Sequence, residues 1–180
     1  MQLFRTHGIT RNAGLFEQPD EGPWYYEMQQ LGYNYRLCDL QCALGISQLR
    51  RLDAFVARRR RIARMYDTGL APVAGIELLR ERPEAESSFH LYPIWVDEAA
   101  VGRSRREVFE HLRRQGIGVN VHYIPIHLQP YYRRRFGTGP GSFVHAERFY
   151  QGCISVPMYP QMSDEDVAAV IEAVRTAVSP

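Results

Sequence analysis

Apolar residues follow no regular period at the start of the chain. Gly8, Gly14, Pro19, Gly22 and Pro23 punctuate a polar stretch that leads into the aromatic cluster Trp24, Tyr25 and Tyr26. Such a stretch needs something else to pack against. The pattern changes at Leu37. Leu37, Leu40, Leu44, Leu52, Val56, Ala63 and Tyr66 recur at roughly helical spacing, which predicts one long helix from Cys38 to Leu70. Its start reads as a capping box with a defect, because Cys38 stands where Ser or Thr would accept from the backbone, with Gln41 three residues on. Gly69 and Pro72 end it.

Beyond that helix the periods alternate. Pro72 to Ser88 reads as a loop or short strand. Phe89 to Val96 is aromatic and β-branched, a strand that Pro93 should confine to an edge or a bulge. Ser104 and Glu107 form a capping box ahead of Val108, Phe109 and Leu112, and Gly116 stops that helix. Ile117, Val119 and Val121 alternate as a strand. A long loop with Pro125, Pro130, Gly137, Gly139 and Pro140 follows. Phe143 to Tyr150 then predicts a short helix and Ile154 to Met158 a short strand. Ser163 caps a final helix whose apolar face is Val167, Val170, Ile171, Val174 and Val178. From Phe89 onward the order is strand, helix, strand, helix, strand, helix, an α/β layer of helices on one small sheet.

Composition narrows the chemistry. At 180 residues the chain suits one domain or one and a half. An apolar fraction of 45% and a charged fraction of 23% are those of a soluble globular protein. No apolar run approaches the roughly 20 residues of a membrane span, and the first residues lack the apolar core of a signal peptide. A cytoplasmic setting is the expectation. The net charge of +2 gives no general affinity for nucleic acid or anionic lipid. Arg58 to Arg61 and Arg133 to Arg135 read as solvated charge, since no nucleic-acid module frames either run. Cys38, Cys42 and Cys153 form an odd set without CxxC spacing, so neither a disulfide framework nor a zinc site is indicated.

One count matters most. All 22 basic residues are arginine, and the chain contains no lysine. Only the N-terminal amine could form a Schiff base, which excludes every side-chain lysine mechanism within these residues. Nor does the chain show a Ser-His-Asp order, phosphate-loop glycines or a carboxylate pair suited to hydrolysis.

Two segments remain as candidate chemistry. Gly32-Tyr-Asn-Tyr-Arg36 precedes the predicted long helix. Asn34 there reads either as a local turn residue or as a contact for an anion such as phosphate near a helix N-terminus. His122-Tyr-Ile-Pro-Ile-His127, with Gln129, Tyr131 and Tyr132, follows a predicted strand. It reads either as the polar wall of a ligand pocket or as aromatics covering a sheet edge. Its histidines lie on a proline-broken loop with no Asp, Glu or Cys close in sequence, so no metal site is expected. The turn RTHGITR, with Arg5, His7 and Gly8, is either an anion contact or simply a turn.

Together RTHGITR, WYYEMQQLGYNYRLCDLQCALGISQLRRLD, GVNVHYIPIHLQPYYR and ISVPMYP resemble the C-terminal part of the DegT/DnrJ/EryC1/StrS sugar aminotransferases, over essentially the whole chain. Within that family the resemblance is greatest to the UDP-4-amino-4,6-dideoxy-N-acetyl-β-L-altrosamine transaminase branch of pseudaminic acid biosynthesis. It implies a pyridoxal-phosphate (PLP) fold type I, acting as a homodimer with shared active sites. Residues 1–37 would be the end of the large domain and an active-site arm, 38–71 a connecting helix, and 72–180 the small α/β domain. Asn34 would reach the cofactor phosphate of the partner subunit. His122 and Tyr123, and less directly His127, would lie near the UDP-sugar. Cys38 departs from the family's usual Ser or Thr, which touches a cap and not the chemistry.

In the family the cofactor-bearing lysine, the residue stacking on the pyridine ring and the acid facing its nitrogen all lie upstream of the RTHG turn. The expectation is therefore a chain corresponding to the last half of a nucleotide-sugar aminotransferase. It would have no catalytic residue of its own, be inactive alone, and need a lysine-bearing large-domain chain. A sugar-nucleotide-binding or dimerisation module without catalysis, and one half of a split enzyme, are the alternatives.

Overall fold

The computed structural model describes residues 1–19 and 22–179, and the chain divides into two compact units, Met1–Arg51 and Leu52–Pro180. Each is described by itself.

The first unit holds α1 (Gln2–Arg5), β1 (Ile9–Thr10), a 3-10 turn (Ala13–Leu15), β2 (Glu27–Met28) and α2 (Asp39–Leu49). β1 and β2 pair antiparallel, Ile9 with Met28 and Thr10 with Glu27. The Glu27 carboxylate gathers the irregular chain around it. It accepts from the backbone N–H of Glu17 (2.7 Å) and Gln18 (2.8 Å), the Tyr25 hydroxyl and the Gln29 amide. Those donors, Glu17 N–H first, hold its pKa below the ordinary carboxylate value. Among the described residues of this unit no apolar side chain is buried, and every residue of α2 is exposed.

The second unit has a core. Its elements are α3 (Leu52–Leu70), β3 (Ile76–Leu78), β4 (Tyr92–Val96), α4 (Glu98–Val101), α5 (Arg105–Arg114), a 3-10 turn (Ile126–Leu128), α6 (Pro130–Phe136), α7 (Val144–Gly152), β5 (Cys153–Val156) and α8 (Asp164–Val178). The strands form one antiparallel sheet in the order β3-β4-β5. Tyr92, Ile94 and Val96 alternate into the core, where they join Ile62, Tyr66 and Leu70 of α3, Val108 and Leu112 of α5, and Val167, Val170 and Val174 of α8. The tyrosine hydroxyls that enter this core are bonded, as burial demands. Tyr66 donates to the Pro157 carbonyl at 2.8 Å and Tyr92 to Asp67 at 2.5 Å. Burial pushes both phenols above their ordinary range.

The α/β layer, the capping box at Ser104 and the cap at Ser163 are as the pattern predicts. Five features differ. The expected long helix is two helices, α2 and α3, and the break at Arg50 and Arg51 is also the unit boundary. Arg51 N–H bonds the Gln48 carbonyl three residues back, a tightening typical of a helix end. The strand expected at residues 117–121 contributes a single bridge, Asn120 to Ser155. β4 starts at Tyr92, because Phe89 has φ 47°, a left-handed conformation no strand accommodates.

Pro93 lies in the central strand, not at an edge. Ser155, opposite it, sends both its N–H and its C=O to Asn120, so the Pro93–Ser155 pair requires no hydrogen bond. On the other side the ladder with β3 begins only at Ile94. The missing proline N–H is therefore never called upon.

The arginine run on α3 is not a solvated face either. Arg58 bonds Asp164 at 2.7 Å and the Met162 carbonyl, and Arg61 bonds the same carboxylate. Arg59 Nη1 donates to the carbonyls of Phe89 (3.0 Å), His90 (3.2 Å) and Met158 (2.9 Å), and Arg60 Nε to that of Ser87. Their long stems and forked donors staple α3 to the loop before β4 and to the start of α8.

Candidate functional site

In the first unit the GYNYR segment lies against the RTHG turn. Tyr33 N–H donates to the Phe4 carbonyl (2.6 Å), His7 N–H to Tyr33 (2.9 Å) and Tyr35 N–H to Arg5 (3.0 Å), around an Asn34–Thr6 bridge. Two glycines permit the approach. A Cβ on Gly8 would stand 1.6 Å from the Gln30 carbonyl oxygen, and one on Gly32 would stand 2.2 Å from Gly8 N. The RTHG turn thus has a role the sequence left open: it backs the segment that presents Asn34.

Extended chain alternates its side chains. Tyr33 and Tyr35 stack on one face, with centroids 5.0 Å apart and planes 14° apart. Asn34 and Arg36 share the other. Arg36 Nε donates to Asn34 Oδ1 at 3.1 Å, and both residues are exposed. Sequence reasoning missed Arg36, although its place two residues from Asn34 in an extended motif was the signal. An amide and a guanidinium on one exposed face form a donor set for a phosphate. The helix terminus is the weaker half of that reading. Asn34 lies upstream of the Cys38 N-cap, and Asp39 in the first turn of α2 already complements the dipole. At the cap itself, Gln41 Oε1 accepts from Cys38 N–H at 3.0 Å, while the sulfur facing the Gln41 N–H is a weak acceptor.

The other predicted residues belong to the second unit. His122 is half-buried. Its Nδ1 is 2.8 Å from Ser155 Oγ and its Nε2 3.3 Å from Asn120 Nδ2. Tyr123, joined to it by a cis peptide, is 72% exposed and meets the imidazole edge to face at 4.6 Å. The buried Cys153 thiol points to the His122 carbonyl at 3.9 Å, and burial raises its pKa.

His127 keeps different company. It is 8% exposed, and its Nε2 lies 2.8 Å from Glu147 Oε1. The same carboxylate accepts from Gly141 N–H at 2.9 Å and Phe143 N–H at 3.2 Å, and Thr138 Oγ1 donates to the His127 carbonyl. The Gly141 N–H first, then His127, keep Glu147 below the ordinary carboxylate value. His127 and Glu147 tie down the turn that leads into α7. The structure therefore brings His122 and Tyr123 together, gives His127 a partner in Glu147, and places Asn34 in the other unit.

An open concavity of about 840 Å³ beside Asp67, Glu77, Arg80 and Glu81 includes none of these residues. Among the described residues no group of three His, Cys, Asp or Glu side chains fits a metal ion. No helix among them is long and apolar enough to cross a membrane.

Comparison with known proteins gives this geometry a context. The profile of the DegT/DnrJ/EryC1/StrS aminotransferase family matches residues 1–175. The spore coat polysaccharide biosynthesis protein SpsC of Bacillus subtilis is 38% identical over 99% of this chain and 46% of its own length. The UDP-4-amino-4,6-dideoxy-N-acetyl-β-L-altrosamine transaminase of Campylobacter jejuni is 34% identical over 94% of this chain and 42% of its own. Among solved structures, Helicobacter pylori PseC, an aminotransferase involved in pseudaminic acid biosynthesis, superposes with a TM-score of 0.81 at 30% identity, covering 98% of this chain and 44% of that one. The chain spans about half the length of the curated relatives it matches.

Proposed function

This chain belongs to the DegT/DnrJ/EryC1/StrS aminotransferase family, and from that premise we propose that it is the C-terminal part of a PLP-dependent enzyme that aminates the 4-keto carbon of a UDP-sugar, with glutamate as donor, in the cytoplasm. Residues 1–37 then correspond to the end of the large domain and its active-site arm, 38–71 to the connecting region, and 72–180 to the small domain. The observation that carries the reading is the exposed Asn34–Arg36 face, two anion-binding side chains held in register by the RTHG turn.

The fit to PLP is partial, and it divides cleanly. The phosphate end suits Asn34 and Arg36. The aldehyde end finds no side-chain amine, since these 180 residues contain no lysine, so a lysine anchor must come from residues outside them. When bound, the cofactor supplies the electron sink for amino transfer. This chain's residues bind and orient. Asn34 and Arg36 hold the phosphate of the cofactor in a partner subunit. His122 and Tyr123 border the nucleotide sugar, and His127 with Glu147 fixes the turn ahead of α7. By this account the chain is inactive alone and works as a homodimer of the intact enzyme or beside a lysine-bearing large-domain chain. A second reading, a sugar-nucleotide-binding or dimerisation module without catalysis, draws on the missing lysine and on the exposed apolar side chains of residues 31–49.

The test is complementation. Paired with a lysine-bearing large-domain chain, the protein is expected to aminate a UDP-4-keto-6-deoxy sugar with glutamate. Asn34→Ala removes a hydrogen bond to a charged group, about 1.5 kcal/mol or more, so the PLP dissociation constant should rise roughly tenfold. Unchanged PLP affinity in that complex overturns the phosphate role. UDP-sugar binding without turnover favours the second reading.

A further inference from the structure

Strand β5 is buried along its whole length, yet it carries a hydroxyl. Ser155 stands between Ile154 and Val156 and is 5% exposed. Burying a hydroxyl costs free energy unless it is bonded, and the partner of this one is His122 Nδ1 at 2.8 Å. The backbone reinforces the contact. Ser155 N–H donates to the Asn120 carbonyl at 2.7 Å and Asn120 N–H to the Ser155 carbonyl at 3.2 Å, so residue 120 is fixed beside residue 155.

The Asn120 side chain then settles the other side of the ring. Its Oδ1 accepts from Val121 N–H at 2.8 Å, which fixes the orientation of the amide. What faces His122 Nε2, at 3.3 Å, is therefore the amide nitrogen, a donor. A ring nitrogen approached by an N–H is the one without a proton. The proton of the neutral imidazole belongs on Nδ1, donated to Ser155 Oγ.

We infer that Ser155 and Asn120 are positioning residues that hold His122 in its Nδ1–H tautomer, leaving Nε2 as an acceptor, so that the group His122 recognises on the substrate is a hydrogen-bond donor. A sugar hydroxyl or an acetamido N–H meets that requirement and a phosphate oxygen does not. The 3.3 Å contact to Asn120 is long, so a hydroxyl can supplant it at a shorter distance. This deepens the nucleotide-sugar reading above and rests on it for the identity of the ligand; the tautomer itself does not.

The experiment is nitrogen-15 NMR of the full chain with labelled histidines. His122 is identified among the six histidines by the signals lost in His122→Gln. In its neutral form the wild-type ring is expected to show a protonated Nδ1 and a bare Nε2. Ser155→Ala should move the population toward Nε2–H, and Ser155→Thr, which keeps the hydroxyl, should restore the wild-type pattern. A wild-type His122 carrying its proton on Nε2 overturns the proposal, as does a pattern that Ser155→Ala leaves unchanged. If Ser155→Ala fails to fold, the wild-type and Ser155→Thr spectra decide. Millimolar UDP-N-acetylglucosamine should then shift Nε2 without moving the proton. Transfer of the proton to Nε2 overturns the acceptor role. An unperturbed Nε2 with the Nδ1–H tautomer intact overturns the nucleotide-sugar reading and leaves the roles of Ser155 and Asn120 standing.

Discussion

Glu147 accepts hydrogen bonds from Gly141, Phe143 and His127, and its folded pKa lies below the unfolded carboxylate value. Its contribution to stability is therefore present above the ordinary glutamate range near about 4.3 and is lost as pH falls through the lower folded value. Glu147→Gln should be less stable than wild type at neutral pH in urea denaturation, and the gap should narrow on acidification. A gap that stays constant with pH would mean that the charge of Glu147 is not what holds the turn. This partner of His127 was not legible in the sequence. The motif HYIPIH shows two histidines in a polar loop, and nothing at Glu147, 20 positions on, marks it as the group one of them meets. At Asn34 the sequence offered more, since an extended motif puts Arg36 on the same face two positions on, but that pairing was not read from it.

Among the elements, glycines give the sharpest contrast. A Cβ on Gly152 would stand 2.5 Å from the Trp95 ring and 2.7 Å from the Val96 carbonyl oxygen, so the junction of α7 and β5 tolerates no side chain. Gly152→Ala should cost about 1–3 kcal/mol as overpacking. Gly118 meets nothing within 4 Å and needs no left-handed backbone, so Gly118→Ala should be neutral or stabilising by about 0.4–1 kcal/mol. Thermal melts of the two variants check the pair, and equal losses would refute the packing argument. The helices with polar caps, α5 and α8, were readable to within a residue or two, since Ser104 and Ser163 announce their starts locally. Strand pairing was not readable in the same way. Whether Pro93 sits at an edge depends on β3 and β5 both pairing with β4, and whether residues 117–121 form a strand depends on how far the Asn120–Ser155 pairing extends. Both are decided by partners distant in sequence. The arginine run on α3 misled for the same reason: its acceptors are carbonyls of residues 87, 89, 90, 158 and 162 and the carboxylate of Asp164.

At the scale of the whole molecule, all buried apolar side chains among the described residues lie beyond Arg51. Amides of α3, β4, β5 and α8 should exchange hydrogen slowly while those of residues 1–51 exchange fast, and limited proteolysis should cut the first unit before the second. Uniform protection along the chain would contradict this division. The absence of lysine yields a second expectation at the same scale: PLP and borohydride should leave no adduct on any side chain, and mass spectrometry of the peptides reads it directly. The sheet has a further consequence. Its flanks are β3, three residues long, and β5, whose outward backbone groups at Ser155 are taken by Asn120. Neither flank leaves open a run of N–H and C=O groups long enough to template another strand. Concentrated solutions, driven by the bare leucines of α2, should therefore cloud into amorphous aggregates that leave amyloid dyes dark.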